Sequence, residues 1–527
     1  MDHRCETTGS METLPMQDEA GAREMGATET GDASVAATGT DAMRGGIERD
    51  DEMGRDETQR PLPRRPARGS LGWTLAATSL GLIVVMIDIT IVNVGLPHIG
   101  AQLGAAVGGL QWVVDAYTLA FAGLLLSAGV VGDRLGARGT YVLGIILFGL
   151  SSLACGIAPN ILTLIIARVV QGGSAAMIMP TSLALLSHAC GDDHRMRTRA
   201  IGWWSSTGGA AVAAGPLIGG FLIDAFGWRS IFLVNLPLCA VALWMAWHYV
   251  SESRQHKPGT FDWLGQILAI VTLTSLTGAV IEAGSRGWGD AFVIECFAVA
   301  FIGLMAFLIV ERKHPHPMLP LGFFRRSTFS AASCVGVVIN LTFYGLIFVL
   351  SLYFQQVRHY SPAETGLAFL PLTGIFVLSN IASGWLAAHL GFRLPITGGL
   401  IVGAVGFALL YDVSATTPFL YMAIALALIP IGTGVTVPAM TASVLASIER
   451  RRAGTASAVL NTARQVGGAM GVAVFGGLIA RSDITSGLQD VFRLSTAMLL
   501  IAAVISWIWI KARPQHDIDM SAAAGGH

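Results

Sequence analysis

WTLAATSLGLIVVMIDITIVNVGL, residues Trp73–Leu96, is apolar or small throughout except for Asp88 and Asn93. A helix rises about 1.5 Å per residue, so about 20 residues cross the ~30 Å hydrocarbon core of a bilayer. The stretch therefore reads as a membrane-spanning helix with a carboxylate near its middle. Such a charge costs at least about 2.5–3.5 kcal/mol, which makes a functional role for Asp88 the expectation.

The rest of the chain fits that reading. Of its 527 residues, 53% are hydrophobic and 13% charged, and the mean hydropathy is +0.62. Soluble proteins carry about 25% charged residues. Fourteen apolar runs are long enough to span, at 72–95, 110–131, 139–158, 161–182, 201–223, 230–250, 262–283, 290–311, 329–354, 365–388, 394–412, 417–440, 455–480 and 491–511. Helices are the open structures that satisfy their own backbone in lipid, so the fold class is all-α and polytopic. Residues 1–70 are polar and acidic and end in the basic, Pro-rich RPLPRRPARGS. They are expected to form a disordered cytoplasmic tail, with Met43 or Met53 as alternative starts and no secretory signal peptide. Residues 513–527 form a second short tail.

Lys and Arg set the orientation. With the N-terminus cytoplasmic, inside loops hold Arg134, Arg138, Arg195, Arg197, Arg199, Arg254, Lys257, Arg312, Lys313, Arg325, Arg326, Arg393 and Arg450–Arg452, with Lys511 and Arg513 at the end. Outside loops hold Arg229, Arg286, Arg358 and Arg481. Both termini are expected inside the cell (plasma or inner) membrane. GVVGDRLGAR, Gly129–Arg138, follows the second span, and GWLAAHLGFR, Gly384–Arg393, follows the tenth. This repeat divides the chain into six-helix halves at 71–250 and 313–512 around a two-helix insert at 251–312. Repeats about an axis along the membrane normal are a transporter signature, with substrate bound between the halves.

Several classes are excluded by what is missing. The six cysteines are scattered, without CxxC or a His/Cys cluster, so no metal is expected. No GxxxxGK[ST] is present, so no P-loop binds ATP. No cofactor and no nucleic-acid partner are expected, and no nucleophile–base set at one depth suggests an enzyme.

Four motifs carry a family resemblance: DITIVNVGLP (Asp88–Pro97), the Gly129–Arg138 loop, RVVQGGSAA (Arg168–Ala176) and GGAAVAAGPLIGG (Gly208–Gly220). WRSIFLVNLP (Trp228–Pro237) and TASAVLNTARQVGGAMGVAV (Thr455–Val474) add to it. From about 72 to 512 the chain resembles the major facilitator superfamily, and within it the fourteen-helix drug:proton antiporters. The resemblance implies proton coupling by Asp88 and Arg168. It implies a cytoplasmic gate at Gly129, Asp133, Arg134, Gly136 and Arg138, whose aspartate meets the start of the thirteenth span near Gly454. It also implies outward transport, carried by the antiporter motif at Gly208, Gly215, Pro216, Gly219 and Gly220. The loop departs from the family at Ala137, and its second copy has Ala388 and His389 in place of the Asp-Arg pair, so the first copy is expected to gate.

Counting residues from the outer ends puts Asp88 and Arg168 each ~10 Å deep and Asp115 ~8 Å deep. One level thus holds three charges, and Asp115 is the candidate second acid or cation contact. Asn93, Asn461, Arg464 and Gln465 either contact substrate or lock packing, with Asn461, Arg464 and Gly468 on one helix face. The functional expectation is a proton-coupled exporter of drugs or other amphipathic small molecules, cationic ones included, working as a monomer in lipid by alternating access. A dedicated exporter of one metabolite, such as an antibiotic, siderophore or amino acid, is the alternative. A non-transporting receptor on the same fold is a further one.

Overall fold

The computed structural model describes residues 68–191, 193–251, 262–314, 317–449, 452–481 and 483–511. Most of both expected tails lies outside these residues. Among the described residues every regular element is helical. In chain order they are α1 (Arg68–Leu103), α2 (Val107–Leu135), α3 (Ala137–Gly156), α4 (Ile161–Ala189), α5 (His194–Phe226), α6 (Ser230–Leu233) and α7 (Asn235–Tyr249). Then come α8 (Trp263–Arg286), α9 (Ala291–Lys313), α10 (Ser327–Leu352), α11 (Pro362–Ala368), α12 (Leu370–Leu390), α13 (Arg393–Ala408), α14 (Phe419–Ser447), α15 (Ala453–Arg481) and α16 (Ile484–Trp509).

Among the described residues, 12 spans are long and apolar enough to cross a membrane, with α6 and α7 joined as one and α11 and α12 as another. Helices α2, of 29 residues, and α13, of 16, stand outside that set. The all-helical membrane fold is as expected; the structure differs in where spans break. Pro237 has no N–H for the carbonyl of Leu233, which separates α6 from α7. Pro371, at the start of α12, does the same beside α11. Side chains fasten the helix starts: Asn160, Asp193, Asp262, Asp290 and Asp483 accept first-turn N–H groups, and Ser361 with Glu364 forms a capping box on α11.

The packing repeats along the chain. Helices α1, α2, α3, α4, α5 and α7 have counterparts in α10, α12, α13, α14, α15 and α16. Thus α1 packs on α5, α4 and α7 as α10 packs on α15, α14 and α16; α3 lies on α4 and α7 as α13 lies on α14 and α16. Arg138 and Arg393 make like contacts. Arg138 Nη2 donates to Trp247 O at the end of α7 (2.7 Å), with its guanidinium over the Trp247 ring. Arg393 Nε donates to Ile510 O just after α16 (2.8 Å) and sits over Trp507. Helices α8 and α9 pair with each other, and α8 also packs on α2 and α15. The outer faces are apolar: Ile302, Ile381 and Leu420 are 66%, 70% and 74% exposed, a surface suited to lipid.

We call the face where α1 joins α2 the upper face. There the early and late helices touch. Ser351 Oγ donates to Asn93 O (2.5 Å) and Gln355 Nε2 to Val94 O (2.9 Å). Ala363 N donates to Asp224 Oδ2 (3.0 Å). Gly220 lies against the Pro362 carbonyl, and a Cβ at Gly366 would come 2.6 Å from Pro216 O. Lower on α5 this contact is lost. Gly209 and Gly202 lie 11 and 18 residues before Gly220, about three and five turns, and so share its stripe. A Cβ at either would meet no atom within 4 Å. Helix α5 therefore meets α11 above and has open space along the same stripe below.

Candidate functional site

Asp88 and Arg168 form the centre of a buried polar network. Gly172, one turn after Arg168, lets α4 lie directly on the backbone of α2; a Cβ there would stand 2.9 Å from Tyr117 Cα. That approach brings Arg168 Nε to Val113 O (3.0 Å). Arg168 Nη1 pairs with Asp88 Oδ2 and donates to Gln171 Oε1 (2.8 Å). Asp88 Oδ1 accepts from Gln171 Nε2 (2.9 Å) and from Asn235 Nδ2 (3.1 Å). Ser152 Oγ accepts from both of those amides, at 3.2 and 3.0 Å. The guanidinium lies 4.2 Å from the Tyr117 ring centroid. Asp88 is 0% and Arg168 1% exposed. Such a pair persists in a low-dielectric interior when further hydrogen bonds satisfy it, as Gln171, Asn235 and Ser152 do here.

Sequence reasoning found the pair and missed its support. Gln171 and Asn235 lie inside the quoted RVVQGGSAA and WRSIFLVNLP motifs. Gln171 follows Arg168 by three residues, the spacing that puts two side chains on one helix face. That spacing was the usable signal; Ser152 had none beyond its place in an apolar span.

Asp115 shares the level of the pair but not its cluster. Arg168 reaches Val113, two residues away, yet about 100° of helix rotation per residue turns Asp115 to the other side of α2. Its wheel neighbours show where it faces. Gln111 Nε2 donates to Val472 O (2.9 Å) and Ala473 O (2.8 Å) of α15, and Trp112 packs on Gly278 of α8. Asp115 falls between those directions, at the junction of α2, α8 and α15. It is 0% exposed, and neither carboxylate oxygen has a hydrogen-bond partner.

A second polar group surrounds the space between α1, α2, α10 and α15. Ile89, Asn93, Val114, Thr118, Tyr344, Gln465, Gly468 and Val472 line a pocket there. Arg464 Nε donates to Asn340 Oδ1 and Nη1 to Asn461 Oδ1, both at 3.3 Å. Asn461, Arg464 and Gln465 are each half-buried.

The expected gate residues lie where α2 turns into α3. Gly136 takes φ +88°, a left-handed geometry that glycine adopts without strain. The side chains of Asp133 and Arg134 lie outside the described ones. A Cβ at Gly129 or Gly454 would meet no atom within 4 Å. The antiporter-motif glycines are tight contacts along α5. Gly208 packs on Leu82 (2.8 Å to a built Cβ), Gly215 on Thr90 and Gly219 on Ile91 (2.7 Å). The motif therefore seats α5 on α1 and, through Pro216 and Gly220, on α11.

The Major Facilitator Superfamily model matches residues 78–472. The chain belongs to the major facilitator superfamily. Relatives inside that superfamily include the methylenomycin A resistance protein of Streptomyces coelicolor, 35% identical over 455 residues, 86% of this chain and 95% of that protein. The multidrug resistance protein Stp of Mycobacterium tuberculosis is 36% identical over 407 residues, 77% of this chain and 75% of its own. Puromycin resistance protein pur8 of Streptomyces alboniger is 35% identical over 488 residues, 88% and 95% of the two chains. Among solved structures, a bacterial homologue of the human lysosomal transporter Spinster, inward-facing and unoccupied, superposes with a TM-score of 0.59 at 16% identity, covering 85% of this chain and 99% of that one. That likeness supports the superfamily fold.

Proposed function

We propose that this protein is a proton-coupled exporter of drugs or other amphipathic small molecules, working by alternating access. The observation that carries the reading is the buried Asp88–Arg168 pair, in a bundle whose α5 meets α11 at the upper face and has open space lower on the same stripe. The names of the relatives, which are resistance proteins, favour export. In this reading α2 and α13 join the other spans to make fourteen, as two six-helix halves around α8 and α9. The lower face is cytoplasmic, both termini lie on that side of the cell membrane, and the protein catalyses no covalent chemistry.

The geometry suggests a cycle. With the lower face open, Asp88 is ionised and held by donors from Arg168, Gln171 and Asn235. Substrate enters from the cytoplasm into the space beside Asn93, Arg464 and Gln465. Once the lower face closes and the upper one opens, a proton reaches Asp88 from outside. Protonation removes one charge of the pair, releases Arg168 and accompanies loss of substrate. Return to the lower-open state gives the proton to the cytoplasm. Asp133, Arg134 and Arg138 act at the lower gate, and Asp115 is a second acid that loads independently of the pair.

The test is efflux from energised inverted vesicles, with and without a protonophore, for wild type and Asp88→Asn. Export is expected to collapse with the protonophore and with the substitution. Efflux indifferent to both would refute proton coupling. A drug panel in a pump-deficient host separates the broad exporter from one dedicated to a single metabolite, which would confer resistance to one compound alone.

A further inference from the structure

Arg464 is a cation within the α15 span. Its stem is seated by Gly336 of α10, where a Cβ would come 3.0 Å from Arg464 Cγ. Among the described residues no carboxylate lies within ion-pair distance of it. Asp88 is already taken by Arg168. Asp115 faces the α2–α8–α15 junction, whereas Arg464 faces α10, on the other side of α15.

Guanidinium carries five N–H donors. Asn340 takes the Nε donor and Asn461 one Nη1 donor, which leaves one on Nη1 and both on Nη2. These form the planar fork that matches a carboxylate in bidentate fashion. Asn340 and Asn461 fix that fork through neutral oxygens, so they orient the charge without neutralising it. One turn above, the wall turns aromatic: the Tyr344 and Phe343 rings meet edge-on at 5.6 Å, and Phe343 packs on Phe376 at 5.4 Å.

We infer that Arg464 is the anchor for an acidic group, a carboxylate, sulfonate or phenolate, on the transported molecule. This deepens the exporter reading and rests on it for the word transported. It narrows the expected amphipathic substrates, cationic ones included, to a preference for anions.

The test uses purified full-length protein and two dyes of similar size, fluorescein as the anion and ethidium as the cation, read by fluorescence anisotropy. Wild type is expected to bind fluorescein. Arg464→Gln should weaken that binding about 10- to 100-fold, as loss of a charge-assisted pair does. Arg464→Lys should retain most of it, and ethidium should be unaffected by either. Melting curves in detergent establish that each variant is folded. Wild type that fails to bind fluorescein, a Gln variant that binds it normally, or equal loss of both dyes without rescue by Lys would each overturn the inference. Protonophore-sensitive efflux from vesicles is scored separately. Fluorescein binding without proton-driven efflux would uphold the anion anchor while removing the exporter reading. Proton-driven efflux without fluorescein binding would do the reverse.

Discussion

Gly220→Ala tests the closed upper face directly. In this state a Cβ at 220 would stand 2.9 Å from Pro362 C and 3.0 Å from Ala363 Cα, and nearer still to Pro362 O. Ordinary van der Waals contact begins near 3.4 Å, so α5 and α11 must part by several tenths of an ångström or more. All the atoms met are backbone, so no rotamer change relieves the clash. Overpacking of this kind costs about 1–3 kcal/mol. The cost falls on the upper-closed state alone, since the opposite state separates the two helices. A bias of that size shifts the ratio of the states by roughly 5- to 150-fold. The control is Gly209→Ala, on the same stripe of α5, where a Cβ meets no atom within 4 Å. The assay places a single cysteine at Ala363, in a background whose native cysteines are replaced, and follows labelling by a membrane-impermeant maleimide in intact cells. Labelling should rise at least fivefold with Gly220→Ala and stay at the parental rate with Gly209→Ala. Equal labelling in both backgrounds would refute the idea that backbone contact at Gly220 holds the upper face shut.

Three further outcomes are expected. Asp88→Ala should leave Arg168 buried without its partner and lower stability by about 3–5 kcal/mol, seen as a marked fall in the melting temperature of purified protein; an unchanged melt would mean the pair is not buried in solution. Gly172→Ala places a methyl group in the α2 backbone and should reduce folded yield, read by fluorescence-detected size exclusion, whereas Gly139→Ala, in open space, should leave yield intact. Gln111→Leu removes two hydrogen bonds to α15, each worth about 0.5–1.5 kcal/mol net. It should lower the melting temperature modestly without changing the drug profile in a resistance panel, and a changed profile would assign Gln111 to the substrate site.

The fold was legible because each span repeats one simple requirement, about 20 apolar residues. The Arg138 and Arg393 loops pointed to an internal repeat, and both arginines bond a carbonyl at or just beyond a helix end. Boundaries were less legible where proline intervened. The run at 230–250 reads as continuous, yet Pro237 divides it; the run at 365–388 begins late because a capped turn at Ser361 precedes it. At the site, Asp88 and Arg168 stood out because charge is rare in an apolar span. Gln171, Asn235 and Ser152 did not, since uncharged polar residues occur at many packing positions. Depth counting grouped Asp115 with Asp88 and Arg168, whereas its direction on α2 turns it toward α8 and α15. Height follows from residue number alone, but azimuth depends on which helices surround α2, and that is a tertiary fact.

The contacts that close the upper face have a consequence for how such a pump can change. At Asn93 the main-chain carbonyl takes the bond from Ser351, while the side chain is turned toward the central pocket. Val94 likewise offers its carbonyl to Gln355. On α1 the closing bonds thus use main-chain carbonyls, and the Asn93 side chain is left to face the pocket. A lineage under pressure from new compounds could revise residue 93, or its neighbours along the pocket, one substitution at a time and keep the same closing contact. Selection on what is carried and selection on how the carrier moves would then act on different atoms of the same residue.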